Sequence, residues 1–282
     1  MEILFKTIKT AKSPILKSYI ISILFFYICK VSKKHRYFFE IAYNGTPYHG
    51  WQYQPNALAV QEVINQALAT YFREEIETLG CGRTDTGVHA SQFFLHVDLI
   101  CQIDFNQTDK IIKSINSLLP NEIALINIYP VEENAHARFD AVSRSYQYHI
   151  HFKKNPFKTN LSWLFTQPLA IEAMQAGSEI IKQYDDFGAF CKSNADNFTN
   201  ICTIYHSYIE EIPNGLIYHV SANRFLRNMV RAIVGTLIDV GKGKIAADDI
   251  HQIIKSQNRS EAGASVPACG LFLTQVKYHY IK

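Results

Sequence analysis

The sequence lacks every short motif that announces a metal or nucleotide site. Its six cysteines, at positions 29, 81, 101, 191, 202 and 269, include no pair at C-x-x-C spacing, so a zinc ribbon or a thioredoxin-like redox pair is unsupported. The eleven histidines include no H-E-x-x-H, and neither G-x-x-x-x-G-K-[ST] nor G-x-G-x-x-G occurs anywhere. Scattered cysteines in a chain this long read as small buried hydrophobes of a reducing compartment, which is the basis for expecting a cytoplasmic protein. Glycine and proline are scarce, 13 and 9 of 282 residues, and 19% of residues are charged, so a collagen-like or disordered chain is excluded. With 48% apolar residues there is ample material for one large core or two moderate ones.

Charge of one sign is also missing from most of the chain. The formal net charge is +3, but residues 1–35 carry seven lysines and one glutamate, which leaves −3 for the remainder. A nucleic-acid-binding role would therefore need a local basic groove and not bulk charge. The apolar run at residues 19–29 is eleven long, about half of what a bilayer span requires. Upstream lysines make it imitate a signal peptide, yet Lys30-Val31-Ser32-Lys33-Lys34 offers no small-x-small cleavage site. Three readings stand for residues 1–35: an appended surface or membrane-associated helix, an uncleaved anchor, or sequence translated upstream of the true start. The third is favoured, because strand patterning begins only at Arg36.

From there the pattern is regular. Residues 36–43 are aromatic and β-branched and run into Asn44-Gly45, a strand and turn. Val60, Val63, Ile64, Ala67, Leu68, Tyr71 and Phe72 recur at helical spacing, and Ile111, Ile112, Ile115, Leu118 and Leu119 mark a second helix. Strands are expected at 76–81, 93–97, 123–131 and 143–152. In the second half, helices are expected at 171–182, 225–240 and 248–255, and strands at 201–209, 216–222 and 271–278. The expected class is α+β, two similar halves with a mostly antiparallel mixed sheet and helices on one face. The halves are set at 36–152 and 169–282, with an exposed connection at 153–168 that carries Lys153, Lys154 and Lys158.

Three places carry chemistry. Gly80-Cys81-Gly82-Arg83-Thr84-Asp85-Thr86-Gly87-Val88-His89-Ala90 holds three glycines in eight residues, with one carboxylate two positions after one guanidinium. On composition alone a plain turn with a paired Arg83 and Asp85 is the better account, since ion pairs in turns are common and weak. In Asn223-Arg224-Phe225-Leu226-Arg227-Asn228-Met229-Val230-Arg231 the arginines fall at i, i+3 and i+7, which on a helix makes one basic stripe about 60° wide. Three arginines with no carboxylate near them in sequence need phosphates or a distant aspartate. Finally, Arg138-Phe139 and Arg144-Ser145-Tyr146-Gln147-Tyr148 interleave arginine with aromatic rings, a pattern suited to phosphate contact and base stacking, although strand tyrosines are more often core.

Together with Tyr43-Asn44-Gly45-Thr46 and Gly50-Trp51-Gln52, with Ala137-Arg138-Phe139, and with Gly235 after the Met-Val-Arg helix, these segments closely resemble the TruA family of tRNA pseudouridine synthases. The resemblance runs from about Arg36 to the end and keeps the motif order. It implies a central RNA-binding cleft, and an isomerase that converts uridine to pseudouridine in the anticodon stem-loop of tRNA, at tRNA positions 38, 39 and 40. It implies a homodimer sharing one tRNA, and a reaction needing no cofactor and no metal, because no group enters or leaves. Asp85 matches the family's catalytic aspartate, Arg231 the guanidinium that balances it in a closed pocket, and Tyr146 the active-site tyrosine that stacks on the target base. Arg83 is then the candidate to fill the space of a flipped-out nucleotide. Arg224, Arg227, Arg138 and Arg144 are candidates for substrate contact, Lys153 and Lys154 weaker ones, and Gln52 and His89 are candidates either to shape the pocket or to support it. The competing readings are a non-catalytic tRNA-binding protein of the same fold and a membrane-tethered protein anchored by residues 19–29.

Overall fold

A computed structural model describes residues 34–192 and 198–281, so the apolar run at 19–29 lies outside the described residues. Strand β1 (His35–Tyr43) opens the fold and is buried on both faces, which is why it reads as a continuous aromatic run and not as an alternation. Phe39 packs toward Phe72 of helix α1 (Val60–Phe72), whereas Phe38 on the other face meets the edges of Tyr278 and Tyr280. Helix α1 buries Val60, Ile64, Ala67 and Leu68, the stripe expected from its spacing, and stops at Arg73 in the left-handed conformation. Strands β2 (Leu79–Gly80) and β3 (His89–Leu99), helix α2 (Thr108–Asn116) and strand β4 (Ile123–Pro130) complete the first hydrophobic cluster. The second gathers around β5 (Ser143–His151), β6 (Trp163–Leu164), α3 (Ile171–Ile181), β7 (Ile204–Ile212), β8 (Gly215–Ala222), α4 (Met229–Gly241) and α5 (Asp249–Ser256).

Both clusters rest on one nine-stranded sheet of order β4-β1-β3-β9-β5-β8-β7, with β2 beside β3 and β6 beside β5. The last strand, β9 (Leu271–Lys277), lies in the middle. It pairs parallel with β3 through His89 and Ala90, and antiparallel with β5 from Ser143 to Tyr148. The only other parallel pairing among the described residues is β5 with β6. The α+β class and mostly antiparallel mixed sheet expected from the sequence are therefore those of the fold.

Two sequence expectations need correction. The strand expected at 76–81 is reduced to Leu79–Gly80, because the chain turns at once into the glycine loop. The helix expected from Phe225 begins only at Met229, since Asn228 sits at φ 67° and breaks the right-handed path. Arg224 and Arg227 thus precede the helix, and the three-arginine stripe does not exist; Arg231 alone is helical. Met229, Ile233 and Leu237 remain as a buried apolar row, without Phe225.

Candidate active site

The glycine loop between β2 and β3 is braced from outside itself. Thr84 offers its carbonyl oxygen to the Trp51 N–H and its hydroxyl to the Tyr43 hydroxyl at 2.9 Å, while the Gly87 N–H donates to the Tyr48 carbonyl oxygen. Gly50, at φ 89°, approaches so closely that a β-carbon there would strike the Thr84 carbonyl oxygen. His89 pins the loop's far end. Its Nδ1 accepts from the Gly45 N–H at 3.1 Å, so Nε2 carries the proton and donates to the Cys269 carbonyl oxygen at 3.2 Å. It is 1% exposed, its ring stacks on Phe272, and burial lowers its pKa. Both nitrogens are spent within the fold, so His89 supports the pocket and does not line it.

Held in this way, Asp85 faces two guanidinium groups from the far side of the molecule. Arg231 Nη1 lies 3.4 Å from Oδ2 and Arg227 Nε 3.9 Å from Oδ1. Arg231 is itself fixed: its Nε donates to the Val266 carbonyl oxygen at 2.8 Å, and its own carbonyl oxygen accepts from the Val266 N–H. The Asp85 side chain is 30% exposed, so the closed pocket implied by the resemblance is instead a partly accessible carboxylate in this structure. Ion pairs of such exposure add little stability. Their consequence here is orientation.

Tyr146, on β5, packs against both hydrophobic clusters and meets Phe225 edge to face at 5.0 Å. Burial first, and the negative charge of Asp85 among its neighbours, raise the phenol's pKa, so the hydroxyl stays protonated.

The arginines divide by role. Arg144 was expected to touch substrate, but its Nη2 donates to the carbonyl oxygens of Cys81 at 2.8 Å and Arg138 at 2.6 Å. Its Nη1 donates to those of Asn223 at 3.0 Å and Ala141 at 3.4 Å. It is a clip that fastens the glycine loop, the 138–141 turn and the approach to Arg224 to one another. Arg83 and Arg138 are exposed and face solvent. Loss of hydration first, then the like charges of Arg83, Arg144 and Arg224, lower the Arg138 pKa. Arg224 is half-buried and reaches the Thr199 carbonyl oxygen at 3.4 Å. Gln52 is exposed next to Trp51. Lys153 and Lys154 follow the opposite end of β5 from Arg144.

The sequence reading missed the segment from Ser265 to Cys269. Its backbone oxygens receive Arg231, Tyr148 and His89, and Ser265 Oγ takes the Asn228 side-chain amide at 2.5 Å. Nothing in its residue types signals this, because the work is done by carbonyl groups that every residue possesses. Among the described residues no set of three His, Cys, Asp or Glu side chains is placed to hold a metal ion. No helix among them is long and apolar enough to cross a membrane.

A family model described as tRNA pseudouridine synthase matches residues 183–279. A tRNA pseudouridine synthase A of Bacteroides fragilis is 44% identical over 244 residues, covering 86% of this chain and 96% of that one. Proteins of the same name from Azobacteroides pseudotrichonymphae and Porphyromonas gingivalis are 43% and 42% identical, each spanning 86% of this chain and 97% of its own length. The chain belongs to the TruA family of tRNA pseudouridine synthases.

Proposed function

We propose that the protein isomerises uridine to pseudouridine at positions 38, 39 and 40 of the tRNA anticodon stem-loop, with Asp85 as the attacking group and no cofactor. In this reaction the N1–C1′ bond breaks, the uracil turns, C5 bonds to C1′, the C5 proton leaves and N1 gains one, so atoms and electrons balance without an external reagent. The observation that carries the reading is the Asp85 carboxylate, accessible yet held by Arg231 and Arg227. Three routes begin from such a carboxylate: attack on uracil C6, attack on C1′, or removal of a ribose proton. All three require an ionised oxygen aimed at an extruded nucleotide, and Arg231, fixed by the Val266 carbonyl, supplies the aim.

A uridine in or beside a stem is stacked, so it must flip out at a cost of a few kcal/mol. Arg83, exposed two positions from Asp85, fills the vacated space, and Arg138, Arg224 and Arg227 meet phosphates. Tyr146, a neutral phenol on a strand, gives the uracil a fixed face. The same reading includes a homodimer that shares one tRNA.

The test is Asp85→Asn. The variant is expected to bind tRNA with near wild-type affinity and to leave the anticodon arm free of pseudouridine, read by chemical mapping in a host lacking its own enzyme. Pseudouridine persisting at those positions would remove Asp85 from the chemistry. A wild-type protein that binds tRNA but leaves it unmodified would favour the non-catalytic binding protein.

A further inference from the structure

The turn at residues 136–140 carries an aromatic ring that the mechanism above does not use. Phe139 is 73% exposed, and it is a large apolar side chain placed among cations. The turn is tightly built. His136 Nδ1 accepts the N–H groups of both Arg138 and Phe139, at 3.1 and 3.2 Å. Asp140 Oδ2 accepts the His136 N–H at 2.7 Å and the Tyr280 hydroxyl at 2.8 Å. The Phe139 ring stacks on His136 at 4.2 Å, and His136 meets the edge of buried His96 at 4.9 Å. His96 in turn lies against Phe38 in the core. A column of four rings therefore runs from the hydrophobic interior to the surface, and Phe139 is its outer end. The ring is held in place before any ligand arrives, so ordering it on binding costs little.

Its surroundings select the ligand. Arg144 clips this turn by donating to the carbonyl oxygens of Arg138 at 2.6 Å and Ala141 at 3.4 Å, and the Arg138 guanidinium lies 5.7 Å from the Phe139 ring centre. A flat apolar ring flanked by arginines fits a ligand that is planar and apolar on its face and anionic along its backbone. A protein segment rarely combines these properties, whereas every unstacked nucleotide does.

Resting on the pseudouridine synthase reading, we propose that Phe139 is a stacking platform for a second, unpaired base of the tRNA, separate from the uridine held at Asp85 and Tyr146. Arg138 takes the phosphates that connect the two nucleotides. The platform fixes the register of the strand and holds open the loop from which the target is drawn. Because stacking is tolerant of base identity, it contributes affinity without choosing a sequence.

The experiment measures binding of anticodon-arm hairpin RNA to the full chain and to Phe139→Ala, Phe139→Leu and Phe139→Trp, apart from turnover. Loss of one base stack is expected to raise Kd on the order of tenfold for the alanine and leucine variants, with tryptophan restoring it. A second arm uses hairpins with a single abasic loop position. At one such position the wild-type protein is expected to bind as weakly as Phe139→Ala, and the two defects should not add. Equal Kd for wild type and the alanine variant, or rescue by leucine as good as by tryptophan, would overturn the platform. Should wild-type protein bind hairpin with the expected Phe139 dependence yet make no pseudouridine, the catalytic reading fails and the platform stands.

Discussion

At the scale of single residues, the site is governed by which hydrogen-bonding groups are already committed. In sequence, Arg144 is a candidate for substrate, His89 for shaping or supporting the pocket, and Arg231 for balancing Asp85. In the fold, His89 and Arg144 are spent on backbone carbonyl or amide groups, whereas Arg231 spends one nitrogen on Val266 and keeps another for Asp85. His96 shows the same logic in a titratable form. Its Nδ1 accepts the Ala137 N–H at 3.1 Å, and burial pushes its pKa down from 6.5 to about 4, helped by the positive charge of Arg36. The sign follows directly. The unfolded chain takes up a proton near pH 6.5 that the folded protein refuses until about pH 4, so stability is full above 6.5 and is lost as pH falls through that window. The loss from His96 is on the order of 3 kcal/mol. Half-buried His149, also pushed to about 4 by loss of hydration, adds to it over the same range. Calorimetry from pH 8 to pH 4 is expected to show a melting temperature that is flat above pH 7 and then falls. His96→Gln, whose amide oxygen still accepts from Ala137, should flatten that fall; an unchanged slope in this variant would acquit His96.

At the scale of elements, the decisive contact is between helix α4 and the chain that returns across it. Gly235 lies so close to the 263–264 backbone that a β-carbon there would run into the Ala264 carbonyl oxygen. The Gly263 N–H donates to Thr236 Oγ1 at 2.8 Å, which seals the approach. This seat delivers Val266 to Arg231 and so sets the angle of the guanidinium toward Asp85. Gly235→Ala is therefore expected to cost about 1–3 kcal/mol through overpacking and to lower kcat along with it. Thermal melting with parallel turnover assays reads both; a variant as stable and as active as wild type would mean that the seat has slack. The helix itself was only partly legible in advance. Its apolar row from Met229 to Leu237 follows the period of a helix and is buried as that period requires. Its start was misplaced by four residues, because the left-handed turn at Asn228 is held by Ser265, which lies 37 positions away.

At the scale of the whole molecule, β9 makes one body of two hydrophobic clusters. It is the last strand in sequence and yet lies between β3 and β5; Leu273 and Val276 pack into the first cluster and Leu271 into the second. Deleting residues 271–282 should therefore abolish cooperative unfolding of the entire fold and not merely fray one end, as read by circular dichroism and amide exchange. A truncated chain that still melts in a single sharp transition would show that the halves hold without it. The sequence by itself determined the elements, because period and residue type are local: β1, α1, α3 and β8 are where their patterns put them. It also singled out Asp85 as the one carboxylate of a glycine-rich loop, while the role proposed for it rests on the family resemblance. Only the tertiary structure decided which arginines face that carboxylate and which are spent on carbonyl groups. Those choices depend on backbone oxygens at Cys81, Asn223 and Val266, which are chemically alike at every position and become distinct only through where the folded chain carries them.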